Sequence, residues 1–363
     1  MVMVTDTVMA MATVTEKTGR ARRMPGRKRR RKQNKKVFLY SAAVVIILAV
    51  GLGIWAYQIQ KRQQSLHVTA GNSVDMKAGY RNITYNGKEY QYNSLITTVL
   101  YAGVDSEGEM KENESYTGAA RADSISVAVL DKKHEKMTII ALSRDTMTDV
   151  RRYSMSGRDR GTYETHLGFA YAYGDGGEVS CENLREAVSN LLCGIPIDEY
   201  VVTNQSSMTH INDLVGGVTV TVPNNDLAAE YPQLTEGAVV KLDDTNVGAY
   251  LQYRDTETDL SNEGRIERQQ SYVTAYVGQL KQVLQEDLEG TWNRLEEMDT
   301  YLQTSITKNK YLSLAKLLEK TDFSFDSYYR PEGENVVGEE HDEFYVDEEA
   351  LQEKIIELFY EEI

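Results

Sequence analysis

The chain has 363 residues, 41% of them hydrophobic and 26% charged, a balance that fits a globular protein and excludes a disordered one. Its net charge is −15, but residues 1–36 hold twelve of the Lys and Arg and two acids, leaving 28 bases against 53 acids in residues 37–363, a balance of −25. A main domain so acidic repels bulk polyanions, which excludes nucleic acid as its partner.

Residues 1–36 read as a basic, disordered cytoplasmic tail. Residues 37–59 (VFLYSAAVVIILAVGLGIWAYQI) contain no charge. As a helix they would span about 34 Å, enough for a bilayer core of ~30 Å. Tyr40, Trp55 and Tyr57 sit near the ends, where interfacial aromatics belong. The run is too long for a signal-peptide core, and no A-x-A-like cleavage site follows it cleanly, so a single uncleaved transmembrane helix in the lipid bilayer is expected. The basic cluster precedes it, which keeps the N-terminus cytoplasmic and places residues 60–363 outside the cell membrane.

Residues 60–92 are polar and read as an extracellular stalk or peripheral segment. From residue 93 the pattern becomes α/β. Ile96–Val104 (ITTVLYAGV) is a near-continuous apolar run, as a buried strand requires. Ser124–Leu130 and Met137–Leu142, joined by the charged turn Asp131–Lys136, read as a hairpin. A helix is expected over 182–192, a strand over 200–203, and a helix over 208–215 closed by Gly216-Gly217. VTVTV (218–222) is a strand stopped by Pro223. A long helix over 265–288 and further helices near 291–302, 308–319 and 347–361 complete the series. Strands interleaved with helices predict a three-layer α/β/α sandwich around a central mixed sheet over 93–363. The acidic run 338–344 (GEEHDEF) reads as a solvated loop.

Cys181 and Cys193 flank the expected helix, which would hold their Cα atoms about 18 Å apart. A disulfide needs less than about 7 Å, so no bridge is expected. The five histidines are scattered, with no Cys or His pair at zinc spacing.

Four segments set charge against apolar strand ends. Asp105 ends the strand in AGVD. Arg121 and Asp123 precede the next strand in ARADS. Arg144 and Asp145 follow the hairpin's return strand in ALSRDT. Arg265, Arg268 and Gln269 fall at i, i+3 and i+4 on one helix face, with Arg254 upstream. Singly, each Arg–Asp pair reads as a surface salt bridge of little consequence. Together they are what a phosphate-rich ligand with a divalent metal needs. Guanidinium forks hold phosphate oxygens in pairs, and Mg²⁺ takes one or two carboxylates and completes its shell with water and phosphate.

The ordered succession AGVD, RADS, LSRDT, HLGFAYAYGDGG, IPIDEYV, INDLVGGVTVTV and R-x-x-RQ resembles the LytR–CpsA–Psr family over roughly residues 93–280, and the C-terminal FYVDEEALQEKIIELFY is similar too. The resemblance implies a membrane-anchored enzyme of a Gram-positive type of wall. Such an enzyme transfers a glycopolymer such as teichoic acid or capsule from an undecaprenyl pyrophosphate carrier onto peptidoglycan, with Mg²⁺, or Mn²⁺ in its place. Carried over, the metal carboxylates fall on Asp105 and Asp123. The substrate-binding set falls on Arg121, Arg144, Arg254 and Arg265, with Arg268 and Gln269 on the same helix face. Arg144, Asp145 and Arg254 form the candidate catalytic set, Asp145 either orienting Arg144 or activating the acceptor hydroxyl. Two alternatives use the same parts: a non-catalytic sensor of lipid-linked precursors, and a pyrophosphatase with water as acceptor. The chain departs from the family pattern at Gln252, His166 and Asn262, where Arg, Lys and Asp are common.

Overall fold

The computed structural model describes residues 75–76, 81–116, 118–254, 261–338 and 341–363. The expected tail and anchor, and residues 60–74 of the expected stalk, lie outside the described residues. Among the described residues no helix is long and apolar enough to cross a membrane.

In chain order the strands are β1 (Asp75–Met76), β2 (Asn82–Tyr85), β3 (Lys88–Tyr92), β4 (Ile96–Val104), β5 (Ala122–Asp131), β6 (Lys136–Leu142), β7 (Met147–Tyr153), β8 (Asp159–His166) and β9 (Glu199–Asn204). They continue with β10 (Thr219–Thr221), β11 (Val239–Lys241), β12 (Leu302–Thr304), β13 (Tyr328–Tyr329), β14 (Gly333–Val337), β15 (Asp342–Val346) and β16 (Tyr360–Glu362). The helices are α1 (Phe169–Ala172), α2 (Glu178–Leu191), α3 (Ser207–Leu214), α4 (Val247–Gln252), α5 (Ser261–Glu286), α6 (Leu288–Glu296), α7 (Lys308–Lys320) and α8 (Glu348–Phe359). The expected hairpin is β5–β6. The expected helices are α2, α3 and α5 to α8, with ends shifted by a few residues.

The central sheet has six strands in the order β12-β9-β4-β5-β6-β13. β4 pairs antiparallel with β5 and parallel with β9, β5 antiparallel with β6, and β13 parallel with β6, so the sheet is mixed. The near-continuous apolar runs follow from burial on both faces. Leu100, Ile125, Val127 and Ile140 point into a core with Leu184, Ala187 and Val188 of α2 and Leu351, Ile355 and Phe359 of α8. Leu130, Met137 and Ile139 face the other way, onto Val277 of α5 and Leu317 and Leu318 of α7. Each such side chain contributes about 1.5–3 kcal/mol by leaving water. Side chains of Asp287, Thr307 and Asp347 cap α6, α7 and α8 by accepting from backbone N–H groups of the first turn.

Residues 82–92 are a hairpin, β2–β3, completed by the last strand, β16, in a separate sheet. Ile83 and Tyr85 are buried in the main core, so the boundary drawn at residue 93 falls within one packed unit. Within the run read as a solvated loop, Asp342–Phe344 instead belong to strand β15 and pair with β14. Both cysteines are free, as their helix spacing requires; burial pushes both thiols up, Cys193 to about 11.

Candidate functional site

The charged residues at the strand ends come together. A cavity of about 430 Å³ is bounded by Arg121, Asp123, Arg144, Asp145 and Arg254, with His166, Gly168 and Phe169 on one side and Val337, Gly338, His341 and Asp342 on another. A register shift between Gly103 and Val104 marks the upper end of the β4–β5 ladder. Such an irregularity bends the strand and re-aims its last side chains. There the Arg121 N–H donates to Asp105 Oδ1 at 2.6 Å, and Arg121 Nε lies 3.6 Å from Oδ2.

Arg144 follows β6 in a tight turn. Its Nη1 donates to Asp123 Oδ1 at 2.6 Å, and its Nε lies 3.4 Å from Asp145 Oδ1. Burial works against the Arg144 charge, yet the two carboxylates outweigh it and hold the guanidinium above its ordinary value. Gly168 joins the two loops. Its carbonyl accepts from Ala122 N at 3.0 Å and its N–H donates to Arg144 O at 2.9 Å. A Cβ there would lie 2.8 Å from the Ala122 oxygen and 3.3 Å from Arg144 Cβ, so only glycine permits the approach.

Arg254 arrives from the end of α4, and Arg265 from the first turns of α5. Burial first, then the cations of Arg254 and Arg144, push the Arg265 guanidinium below its ordinary value, with Asp123 opposing. Four arginines therefore share one neighbourhood in an acidic protein. A site that crowds cations is stabilised by an arriving polyanion.

Arg268 is placed elsewhere. It is fully buried, and its guanidinium donates to Tyr250 O at 3.0 Å, to Asn224 Oδ1 at 3.1 Å, to Asp226 Oδ2 and to Tyr253 O. Gln269 Nε2 donates to Leu251 O at 3.0 Å. Both side chains clamp the end of α4 that delivers Arg254. Neither is among the residues that bound the cavity, although both were expected on the substrate-facing side. Three-and-four spacing puts residues on neighbouring positions of a helix but does not say which of them turns inward.

The two carboxylates expected to hold metal lie on either side of Arg121. Asp123 borders the first cavity. Asp105 borders a second, of about 440 Å³, whose wall also includes Arg121, Phe169 and Tyr173. Arg121 lies over the Phe169 ring, 5.8 Å from its centre. Among the described residues no group of three or more His, Cys, Asp or Glu could hold a metal ion. Gln252 is exposed on the last turn of α4, and the Asn262 side chain lies outside the described residues.

The sequence reading did not place His341, Asp342, Val337 or Phe169 at the site. The β14–β15 hairpin brings the first three. Phe344 N donates to Asp145 O at 2.8 Å and bridges to Thr146, which docks the hairpin on the Arg144–Asp145 turn. His166 Nε2 meets Asp342 O at 3.1 Å. Only the motif HLGFAYAYGDGG gave a signal, and it marked His166 and Phe169 without saying what they line.

Fold and site together define a mixed α/β protein with an arginine-rich cavity at the ends of its central strands. The chain belongs to the LytR_cpsA_psr family, whose family model matches residues 57–355. The polyisoprenyl-teichoic acid–peptidoglycan teichoic acid transferase TagU of Halalkalibacterium halodurans is 28% identical over 243 residues, 66% of this chain and 69% of that protein. TagU of Bacillus mycoides is 28% identical over 198 residues, 53% of this chain and 54% of its own length. The chain thus spans about half the length of the Bacillus relatives it matches. Among solved structures, B. subtilis TagV (22% identical, TM-score 0.53, 72% of this chain and 96% of that one) shares the fold. So does TagT bound to LIIa-WTA (18%, TM-score 0.54, 73% and 90%).

Proposed function

We propose that this chain is a phosphotransferase that moves a glycopolymer from a polyprenyl-pyrophosphate carrier, undecaprenyl pyrophosphate in the family it belongs to, onto a peptidoglycan hydroxyl. The observation that carries the reading is the gathering of Arg121, Arg144 and Arg254 with Asp123 and Asp145 around one cavity, beside the crowded cation of Arg265. The TagU relatives are named for this transfer, and TagT has been solved bound to LIIa-WTA. Transfer of a phosphoryl group from a pyrophosphate to a hydroxyl asks the protein mainly to position the groups and neutralise charge, which fixed guanidiniums do. Arg144, oriented by Asp123 and Asp145, would meet the transferring phosphate. Arg121 and Arg254 would hold its partner.

Asp105 and Asp123 offer hard oxygen donors at neighbouring strand ends, a set that suits Mg²⁺ completed by water and phosphate. The ion would supply further charge neutralisation on the pyrophosphate. The run 37–59 would hold the domain at the outer face of the membrane, where both the lipid carrier and the wall are within reach.

The test is the full-length chain in lipid vesicles with Mg²⁺, a polyprenyl-pyrophosphate-linked glycan and peptidoglycan oligomers, with products followed by mass spectrometry. A metal-dependent glycan–peptidoglycan adduct is expected, falling about 100- to 1,000-fold in Arg144→Ala. Tight donor binding without turnover would leave a sensor in its place. Phosphate-ended polymer without an adduct would leave a pyrophosphatase.

A further inference from the structure

We propose that His166 accepts the proton of the attacking hydroxyl in this chain, an inference that rests on the transferase reading. Three of the carboxylates at the site already hold guanidiniums: Asp105 that of Arg121, Asp123 and Asp145 that of Arg144. Each is thereby already engaged with a cation. His166 differs. It lies in the wall of the same cavity, and its Nε2 is 3.1 Å from the main-chain oxygen of Asp342. A carbonyl oxygen only accepts, so Nε2 carries the hydrogen. In the neutral ring Nδ1 is then left with the lone pair.

The ring is also held in orientation. It packs edge to face on Phe169 at 5.5 Å and on His341 at 5.8 Å between ring centres. One nitrogen anchored as donor and the other left as acceptor is how an imidazole is kept ready to act as a base. The charged and titratable groups sharing the cavity are His341 and Asp342 from the β14–β15 turn, Arg121 and Asp123 from the start of β5, Arg144 and Asp145 from the turn after β6, and Arg254 from the end of α4. A lysine here would be a fixed cation near neutral pH with no lone pair to offer. The histidine makes the position a proton acceptor.

In the step, the acceptor O–H bond breaks and its proton passes to Nδ1. The acceptor oxygen bonds to the polymer-bearing phosphorus. The bond from that phosphorus to the bridging oxygen breaks, and its electron pair leaves on the polyprenyl phosphate. The imidazolium gives its proton to water as the products depart.

The experiment is the vesicle transfer assay run over a pH series. Wild-type kcat is expected to fall about tenfold per unit on an acidic limb, and His166→Gln to lose that limb and about 100-fold in rate at the plateau with the donor KM unchanged. His166→Lys is expected to be slow as well, and His341→Gln to keep the limb. Added imidazole is expected to restore part of the rate to His166→Ala, which separates a missing base from a misfolded chain. A fast His166→Lys would show that the position only supplies charge and would overturn the proposal. So would a His166→Gln variant with wild-type rate and limb. An inactive wild-type chain removes the transferase reading itself, whereas wild-type adduct formation matched by His166→Gln removes this inference alone.

Discussion

Arg265 and Arg268 lie about one turn apart on α5 and meet opposite surroundings. Arg268 has four oxygen partners and no solvent. Arg268→Met leaves two carbonyls and the Asp226 carboxylate without their cation. It is expected to cost about 3 kcal/mol, the low end for a broken buried pair because Asp226 reaches solvent. Chemical denaturation measures this. Arg265, by contrast, is charged at neutral pH in a place that penalises the charge: its value is pushed down by burial and by Arg254 and Arg144. The penalty is present at every pH below that lowered value, so neutral buffer does not relieve it, and only an anion or a substitution does. Arg265→Gln is therefore expected to raise the melting temperature of the empty protein. It should also shrink the further rise that added pyrophosphate produces, which differential scanning fluorimetry follows.

The elements divide into those that support and those that shape the site. α2 supports. Leu184 is fully buried against the sheet, and Leu184→Ala is expected to cost about 2–5 kcal/mol while leaving kcat near its wild-type value. The β14–β15 hairpin shapes. Every residue of β14 is exposed, so little core depends on it. Phe344→Pro removes the N–H that docks the hairpin on Asp145 and should cost only about 1 kcal/mol. Turnover is expected to fall at least tenfold, since a small misplacement at a reacting centre is costly. Denaturation and the transfer assay, run on both variants, separate the two roles.

The same division decides what the sequence made legible. β4, β5, β6 and β9 announce themselves by apolar runs because both their faces are covered. β7 (MTDVRRY) and β14 (GENVV) do not, because β7 buries only Val150 and β14 is exposed throughout, so each is held by its own ladder without an apolar pattern. Arg121, Asp123, Arg144 and Asp145 were legible as charges at strand ends, where an apolar run stops, and Arg254 only as a charge upstream of the long helix. His341 and Asp342 were not: they reach His166 across more than 170 residues of chain, and no local spacing carries that information.

For the whole molecule the governing fact is the contrast between overall charge and site charge. Residues 37–363 carry a balance of −25, yet arginines gather at one cavity. A field of that shape keeps polyanions off the general surface and draws them to one mouth. Raising salt from about 50 mM to 500 mM shortens the screening length roughly threefold. The donor KM is expected to rise with salt while kcat holds, as steady-state kinetics at fixed Mg²⁺ would show.

The sheet that pairs β3 with β16 sets a timetable for the nascent chain. Tyr92 faces Tyr360 in that ladder, so 268 residues must follow the first partner before the second exists. At roughly 5–20 residues per second of synthesis, that is about 13 to 54 seconds. Throughout that interval β3 has an open edge, and β6 waits 189 residues, from Ile139 to Tyr328, for β13. The cavity lacks its His341 wall until that residue has been made. A newborn chain therefore closes its pocket and its β3 edge only late in synthesis, long after its central strands exist.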